Sequence, residues 1–443
     1  MARFLTLLLL FIFISSGSIY AQKKKKNDTT KKASADYYEQ NFLRYNDYVY
    51  KNNIRSVRLH KVGWVTAAPI LEMGSDLKIL LSFDDLDADH KTFAYTVVHC
   101  DAQWQPSDLM QSEYIDGFPE NYISYYAFSF NTIQRYSHYE LQLPNENMKL
   151  TRSGNYLLKV YAEGNPDDVI LTRRFVVLES SLSIQAGVRK SASLKEREAA
   201  QEVYFTINTG KFSIADPYSD LKIVVLKNWR WDNAFTTAGP KMIRGSELVY
   251  DFPGDIIFPG GNEYRYFDTR TLKIKTQRVQ SYTIDSSKLY TVNLYCEEKR
   301  SKNYYTFNDI NGNYSIDNLD GFRDDNLDAE YNWVSFCLRS EEPVDSGGVY
   351  VFGGFTDWEC RPEGKMKYNQ ATGTYDAKIF LKQGYYNYSY ALLENRKKEP
   401  LETPFEGSFN ETENEYTILV YYRAPGTIYD KLIGLVSVNS MKF

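Results

Sequence analysis

From residue 53 onward the chain repeats one local pattern: a short apolar or aromatic run, then a cluster of turn-forming residues. Such runs occupy residues 54–59, 78–83, 93–99, 156–162 and 171–178. Between them stand Asp84-Asp85, Asp116-Gly117-Phe118-Pro119 and Gly164-Asn165-Pro166-Asp167. Runs of about five residues at this spacing read as strands of an antiparallel sandwich. No segment sustains a 3.6-residue apolar period, so long helices are not expected. Composition agrees: 38 Tyr, 25 Phe and 6 Trp bring aromatic residues to 16%, and aromatic rings suit the pleated, half-buried surface of a sheet. The predicted fold class is all-β, with tandem immunoglobulin-like or early-set β-sandwich modules.

At 443 residues the chain is long enough for two to four domains, each with its own core. An N-terminal sandwich is predicted over 37–180. A second β-rich domain follows over 181–330, with runs at 203–208, 221–226 and 290–296 and turn signals at Asp216-Pro217 and Pro259-Gly260-Gly261-Asn262. It ends in a polar loop, 308–328, rich in Asp, Asn and Gly. A third module is predicted over 331–443.

The N-terminus sets the expected compartment. Arg3 precedes an apolar run over 4–14, then Ser15-Ser16-Gly17 and Ala21 before Gln22, the pattern of a secretory signal peptide over 1–21. Eleven apolar residues are too few to cross a bilayer core of about 30 Å as a helix. Residues 22–36 carry six Lys against Asp28 and Asp36 and read as a basic, solvated tail, with attraction to an anionic membrane surface as the alternative. The chain as a whole carries −5, so everything beyond the signal peptide and tail is distinctly acidic. An acidic body repels phosphate backbones, which disfavours nucleic acid as a partner.

Residues that could carry chemistry are sparse. The four histidines, His60, His90, His99 and His138, form no HxH or HExxH pattern. His99 and Cys100 are neighbours on a predicted strand and point to opposite faces, so they can share neither an ion nor a proton. The loop 308–328 offers Asp309, Asn311, Asp317 and Asp320, but an EF-hand starting at Asp309 needs Gly where Tyr314 stands and Glu where Asp320 stands. A solvated acidic loop is the favoured reading. No nucleophile elbow, P-loop or dinucleotide fingerprint is present. The chain is read as a non-enzyme without metal or cofactor. Cys100, Cys296, Cys337 and Cys360 lack a CxxC pair; one or two disulfides are compatible with an oxidising compartment, and buried unpaired thiols in strands are favoured.

One stretch of the third module is more specific. Val349-Tyr350-Val351-Phe352-Gly353-Gly354-Phe355-Thr356-Asp357-Trp358, followed by Gln383-Gly384-Tyr385-Tyr386-Asn387-Tyr388-Ser389-Tyr390, resembles the early-set immunoglobulin-like modules that include glycogen- and starch-binding domains. Those relatives commonly carry a second Trp where this chain reads Leu393-Glu394-Asn395-Arg396-Lys397-Lys398. Trp358 alone could stack one sugar ring, although burial suits it better. Periplasmic or surface carbohydrate binding is the second functional reading. On the strand after Gly384, Tyr386, Tyr388 and Tyr390 alternate onto one face.

A wider resemblance spans about residues 45–440. It rests on Leu81-Ser82-Phe83-Asp84-Asp85-Leu86-Asp87, His99-Cys100-Asp101-Ala102-Gln103-Trp104, Asn228-Trp229-Arg230-Trp231-Asp232-Asn233, Tyr429-Asp430-Lys431-Leu432-Ile433-Gly434 and the segments 107–118 and 154–161. Taken in chain order, and with Phe352-Gly353-Gly354-Phe355-Thr356-Asp357-Trp358, they resemble the type IX secretion system plug protein family, formerly a family of unknown function. The resemblance implies a periplasmic protein that associates with the outer-membrane β-barrel translocon subunit and occludes its periplasmic opening. A stopper needs rigid modules and wide contact faces, and tyrosine provides contact area at low entropic cost with a hydroxyl suited to a wet interface. The candidate contact residues are Tyr114, Phe118, Tyr122, Tyr125 and Tyr126, near Gly117 and Pro119; a packed internal loop is the alternative for this stretch.

Overall fold

A computed structural model of the chain describes residues 42–441 apart from 238 and 322. The signal-peptide and basic-tail expectations, over 1–21 and 22–36, lie outside the described residues. Almost all regular structure is β, grouped in three two-sheet sandwiches, with only single turns of helix between strands. The all-β expectation holds.

In the first sandwich one sheet runs Tyr48–Val49, Asn165–Leu178, Gly154–Ala162, Phe93–Cys100 and Asn121–Tyr122, with Ile70–Glu72 pairing in parallel to Asn165–Leu178. The other runs Ile54–Lys61, Ile79–Asp85, Ser137–Leu143 and Tyr125–Phe128. Side chains two apart share a face, so Ile79, Leu81 and Phe83 pair with Leu143, Leu141 and Tyr139 in register and fill the space between the sheets. Phe83 and Tyr139 stack at 5.2 Å.

The other two sandwiches depart from the predicted boundaries. Leu221–Lys227 pairs with Glu415–Tyr422 along its whole length, and Lys431–Asn439 lies beyond it. The last hairpin therefore belongs to the second sandwich, with Ser183–Lys190 and Ala200–Asn208 on the facing sheet. The third sandwich draws on strands from well before residue 331. Tyr331–Arg339 and Thr374–Lys382 join Val279–Ile284 and Tyr290–Leu294 in one sheet, while Gly384–Glu394 joins Arg265–Asp268, Tyr314–Ile316 and Gly347–Phe352 in the other. Pairings between strands nearly two hundred residues apart leave no local trace, because a strand signals its own pleat and not its partner.

Tyr386, Tyr388 and Tyr390 do share one face, and all three are fully buried. Tyr386 stacks on Phe267 at 4.9 Å and Tyr388 meets Phe336 edge-on at 5.2 Å. Burying a phenol requires a partner for its hydroxyl. Tyr386 donates to the Lys382 carbonyl at 2.6 Å and Tyr388 to a Glu297 carboxylate oxygen at 2.6 Å.

The cysteines divide. Cys296 and Cys337 form a disulfide, a correction to the favoured reading of unpaired thiols. Glu297 bridges Leu338 in parallel, which brings the two cysteines side by side with Cα atoms 4.5 Å apart. Cys100 and Cys360 are buried and free, and burial pushes each thiol up to about 12, which leaves them unreactive. In the loop 308–328 the carboxylates serve the backbone. Asp309 accepts from the amides of Tyr264 and Asn311, Asp320 from that of Leu272, and Asp324 caps the turn at Asp325–Asp328. Among the described residues no group of three or more His, Cys, Asp or Glu is arranged to hold a metal ion.

Candidate interaction surface

The candidate contact stretch begins with a single helical turn, Gln111–Tyr114. Tyr114 lies at its end and turns inward: it is buried, its hydroxyl donates to the Val97 carbonyl at 3.3 Å, and its ring meets His99 and Tyr156. Tyr114 is therefore a core residue and no contact candidate. The chain then reverses at Gly117, whose φ of +116° favours glycine. A Cβ there would stand 2.2 Å from the Asn147 carbonyl oxygen, so no other residue fits.

Beyond Gly117 the backbone is pinned while the rings point out. The Thr96 hydroxyl donates to the Pro119 carbonyl at 2.6 Å, Tyr161 hydrogen-bonds Glu120, and the Ile123 amide donates to Phe93 at 2.9 Å. Ile123 itself is buried and anchors the crossing. On one side of it Asn121–Tyr122 forms the edge of one sheet, with Tyr122 opposite Ala94. On the other side Tyr125–Phe128 forms the edge of the second sheet, with Tyr125 opposite Glu140. The chain thus steps from one sheet of the sandwich to the other and leaves a row of rings along both edges.

Exposure confirms the row. Phe118 is 65% exposed, Tyr122 51%, Tyr125 48%, Tyr126 39% and Phe128 52%. Tyr126 rests against His90 at 4.3 Å and Phe128 at 5.8 Å, which holds the rings in place without covering them. The five large rings are thus exposed along two edge strands, and bare edge strands add unpaired backbone groups. Four of the five sequence candidates lie on this surface. Sequence reasoning missed Phe128, whose signal was its place beside Tyr125 and Tyr126 in one run, and it missed Phe130, which lies under the Arg323 guanidinium at 3.9 Å.

A second face of the same sandwich is closed. Asp84, fully buried, accepts from Lys382 Nζ at 2.7 Å, His138 Nδ1 at 2.6 Å and the Tyr331 hydroxyl at 2.7 Å. Lys382 and Tyr331 belong to the third sandwich, so the network joins the two. Burial opposes the charge on Asp84, yet Lys382 and His138 together hold its carboxyl below the usual range. Tyr136 closes the junction, donating to the Ala329 carbonyl at 2.9 Å with Lys382 Nζ 4.0 Å above its ring. Elsewhere Glu359 accepts from Asn46 at 2.7 Å, and its other oxygen has no hydrogen-bond partner among the described residues; burial pushes its carboxyl up to about 7. Sequence reasoning used Asp84 only as part of a motif and missed its partners: His138 on the neighbouring strand, and Tyr331 and Lys382 on strands some 250 to 300 residues away.

Trp358 does not present a free face. The Arg230 guanidinium lies 4.2 Å from its ring centroid, Phe352 and Tyr264 meet it edge-on, and a Cβ on Gly312 would stand 2.1 Å from its ring. Arg230 is itself tied to Asp232 and Glu402.

Residues 54–179, the first sandwich almost entire, match the type 9 secretion system plug protein 1st domain. A solved structure of a hypothetical protein from Parabacteroides merdae ATCC 43184 is 34% identical, with a TM-score of 0.86 over 90% of this chain and 100% of that one. This chain belongs to the type IX secretion system plug protein family. Membership assigns it a role in type IX secretion and association with a secretion channel, and indicates a periplasmic or envelope location. No helix among the described residues is long and apolar enough to cross a membrane. No curated protein matches the chain. A likeness to InvD of Yersinia pseudotuberculosis, at 9% identity over 87% of this chain and 98% of that one, has a TM-score of 0.16 and carries no argument.

Proposed function

We propose that the protein is a periplasmic plug of the type IX translocon, occluding the periplasmic opening of its outer-membrane β-barrel subunit through the aromatic edge of the first sandwich. The observation that carries this reading is the row Phe118, Tyr122, Tyr125, Tyr126 and Phe128, open along both sheet edges of the very domain that matches the family. Several features support it. An occluding body must resist deformation, and the buried Asp84–Lys382 pair ties the first and third sandwiches together. The three exposed tyrosines of the row are amphipathic, so they can lie against a wet barrel rim and also face water when released. The role requires no catalytic group. Carbohydrate binding through Trp358 gains no support, because Arg230 covers the ring.

The test is co-purification. Tagged full-length protein, recovered from detergent-solubilised outer membranes of a bacterium with this secretion system, is expected to bring a very large β-barrel subunit with it. Repeatedly empty recovery, with the translocon present in the input, would contradict the reading.

A further inference from the structure

Where the first sandwich meets the third, a cleft of about 130 Å³ opens beside the Asp84 network. That volume is comparable to cavities that hold one benzene ring. Its walls carry four cations, Arg55, Arg173, Arg361 and Lys378, against two carboxylates, Asp357 and Glu363. Asp357 is shared: Arg173 pairs with it at 3.1 Å and Arg361 also contacts it. Glu359 and Glu363 also lie close to Arg361, and Asp47 close to Arg173, so the cations of the lining that are left over for a ligand are Arg55 and Lys378. Arg55 has no ion-pair partner among the described residues, and the Nε atoms of Arg55 and Arg361 are buried without a hydrogen-bond acceptor. Buried donors of this kind cost free energy unless something accepts from them.

The remaining wall is aromatic, with Trp333, Phe355 and Phe380 lining it. Lys378 Nζ lies 5.2 Å from the Trp333 ring centroid, so charge and π-face meet at one place. The backbone is shaped for the cleft from both sides. Strand Ile54–Lys61 bulges between Arg55 and Arg58, with Ser56 at φ +51°, and Asp357 across the cleft is at φ +54°. Bulges re-aim side chains, and strained non-glycine residues gather where a site is built.

We propose that this cleft binds an organic anion, an acid group on a flat apolar body, with the acid group between Arg55 and Arg361 and the body against Trp333 and Phe380. A carboxylate or a phosphate monoester meets a guanidinium edge in the same way, through two parallel N–H···O bonds. The ligand would touch both sandwiches at once and so reinforce their junction. The proposal does not depend on the plug reading.

Calorimetric titration of the full-length protein with N-acetylphenylalanine, phenyl phosphate and inorganic phosphate tests it. Saturable binding of at least one aromatic acid is expected, at least tenfold tighter than inorganic phosphate, and whichever aromatic acid binds more tightly identifies the acid group. Arg55→Gln is expected to weaken it by roughly tenfold, the scale of one charge-assisted contact, while melting at the wild-type temperature without ligand. Lys378→Gln, on an exposed side chain, is a second variant with the same expected direction should Arg55→Gln fail to fold. No saturable binding of either aromatic acid, inorganic phosphate binding as tightly as they do, or unchanged binding in a folded variant would overturn the proposal.

Discussion

The first sandwich meets the third across a junction lined by tyrosines from both, and meets solvent along a tyrosine-rich edge of its own; the two differ in what the hydroxyls do. At the junction three phenols are committed: Tyr136 donates to Ala329, Tyr314 to the Val57 carbonyl at 3.1 Å, and Tyr331 to Asp84. Along the edge, no hydrogen bond within the described chain holds the hydroxyls of Tyr122, Tyr125 and Tyr126. Residue type is the same in both places. What separates them is closure: one set lies under a neighbouring sandwich that supplies acceptors, and the other lies on strands at the end of their sheets. An abundance of tyrosine thus marks both a core and a contact surface, and only the topology assigns each ring.

Breaking the closed face has the largest expected effect. Lys382→Met strands the Asp84 charge in the interior, and removing one partner of a buried pair costs about 3–5 kcal/mol. Thermal unfolding is expected to drop accordingly, and adding Asp84→Asn to recover part of the loss. Equal stability of Lys382→Met and wild type would show that the junction is not held by this pair.

Tyr114→Ala sharpens the boundary between the two regions. It empties a buried site and is expected to cost roughly 3 kcal/mol, read by denaturant unfolding. A folded, fully stable Tyr114→Ala would place that ring with the edge after all.

Glu359 has a pH signature of its own. Its carboxyl, pushed up to about 7 by burial, keeps its proton in the folded chain at pH values where the unfolded chain has lost it. The folded state then binds more protons, so stability falls as pH rises from about 4.5 through about 7. Glu359→Gln is expected to change little at pH 5 and to stabilise by roughly 1–3 kcal/mol at pH 8. Melting curves at both pH values check this, and an equal effect at both would contradict it.

The smallest effect is expected at the edge. Phe128→Ser removes one exposed ring and is expected to leave stability unchanged while weakening channel binding by about 1 kcal/mol, the cost of a peripheral contact. A melting temperature lowered by several degrees would mean that Phe128 packs more than it contacts.

Much of this was legible in the sequence. The short runs 78–83 and 93–99 are strands Ile79–Asp85 and Phe93–Cys100, and the Tyr386, Tyr388 and Tyr390 face is buried as its alternation requires. Turn chemistry at Gly117 and the aromatic run after it located four of the five edge residues. Tyr114 was misplaced because it ends a helical turn that aims its ring inward, a direction that spacing along a loop does not encode. The module boundaries failed for a related reason. Glu415–Tyr422 has the pattern of an ordinary buried strand, and nothing in it names Leu221–Lys227 as its partner. The Asp84 network and the cationic cleft depend on residues such as Lys382, Arg361 and Lys378, and become visible only once the third sandwich is seated on the first.

The account rests on the aromatic edge being the docking surface. The most direct test compares wild type with Tyr122→Asp/Tyr125→Asp for binding to the purified outer-membrane barrel subunit, with melting temperature measured on the same samples. Both rings are about half exposed and their hydroxyls make no hydrogen bond among the described residues, so the fold is expected to survive intact. Loss of at least 2 kcal/mol of binding, about thirtyfold, at unchanged melting temperature is the expected result. Wild-type affinity in the folded double variant would contradict the account and move the docking surface elsewhere on the molecule.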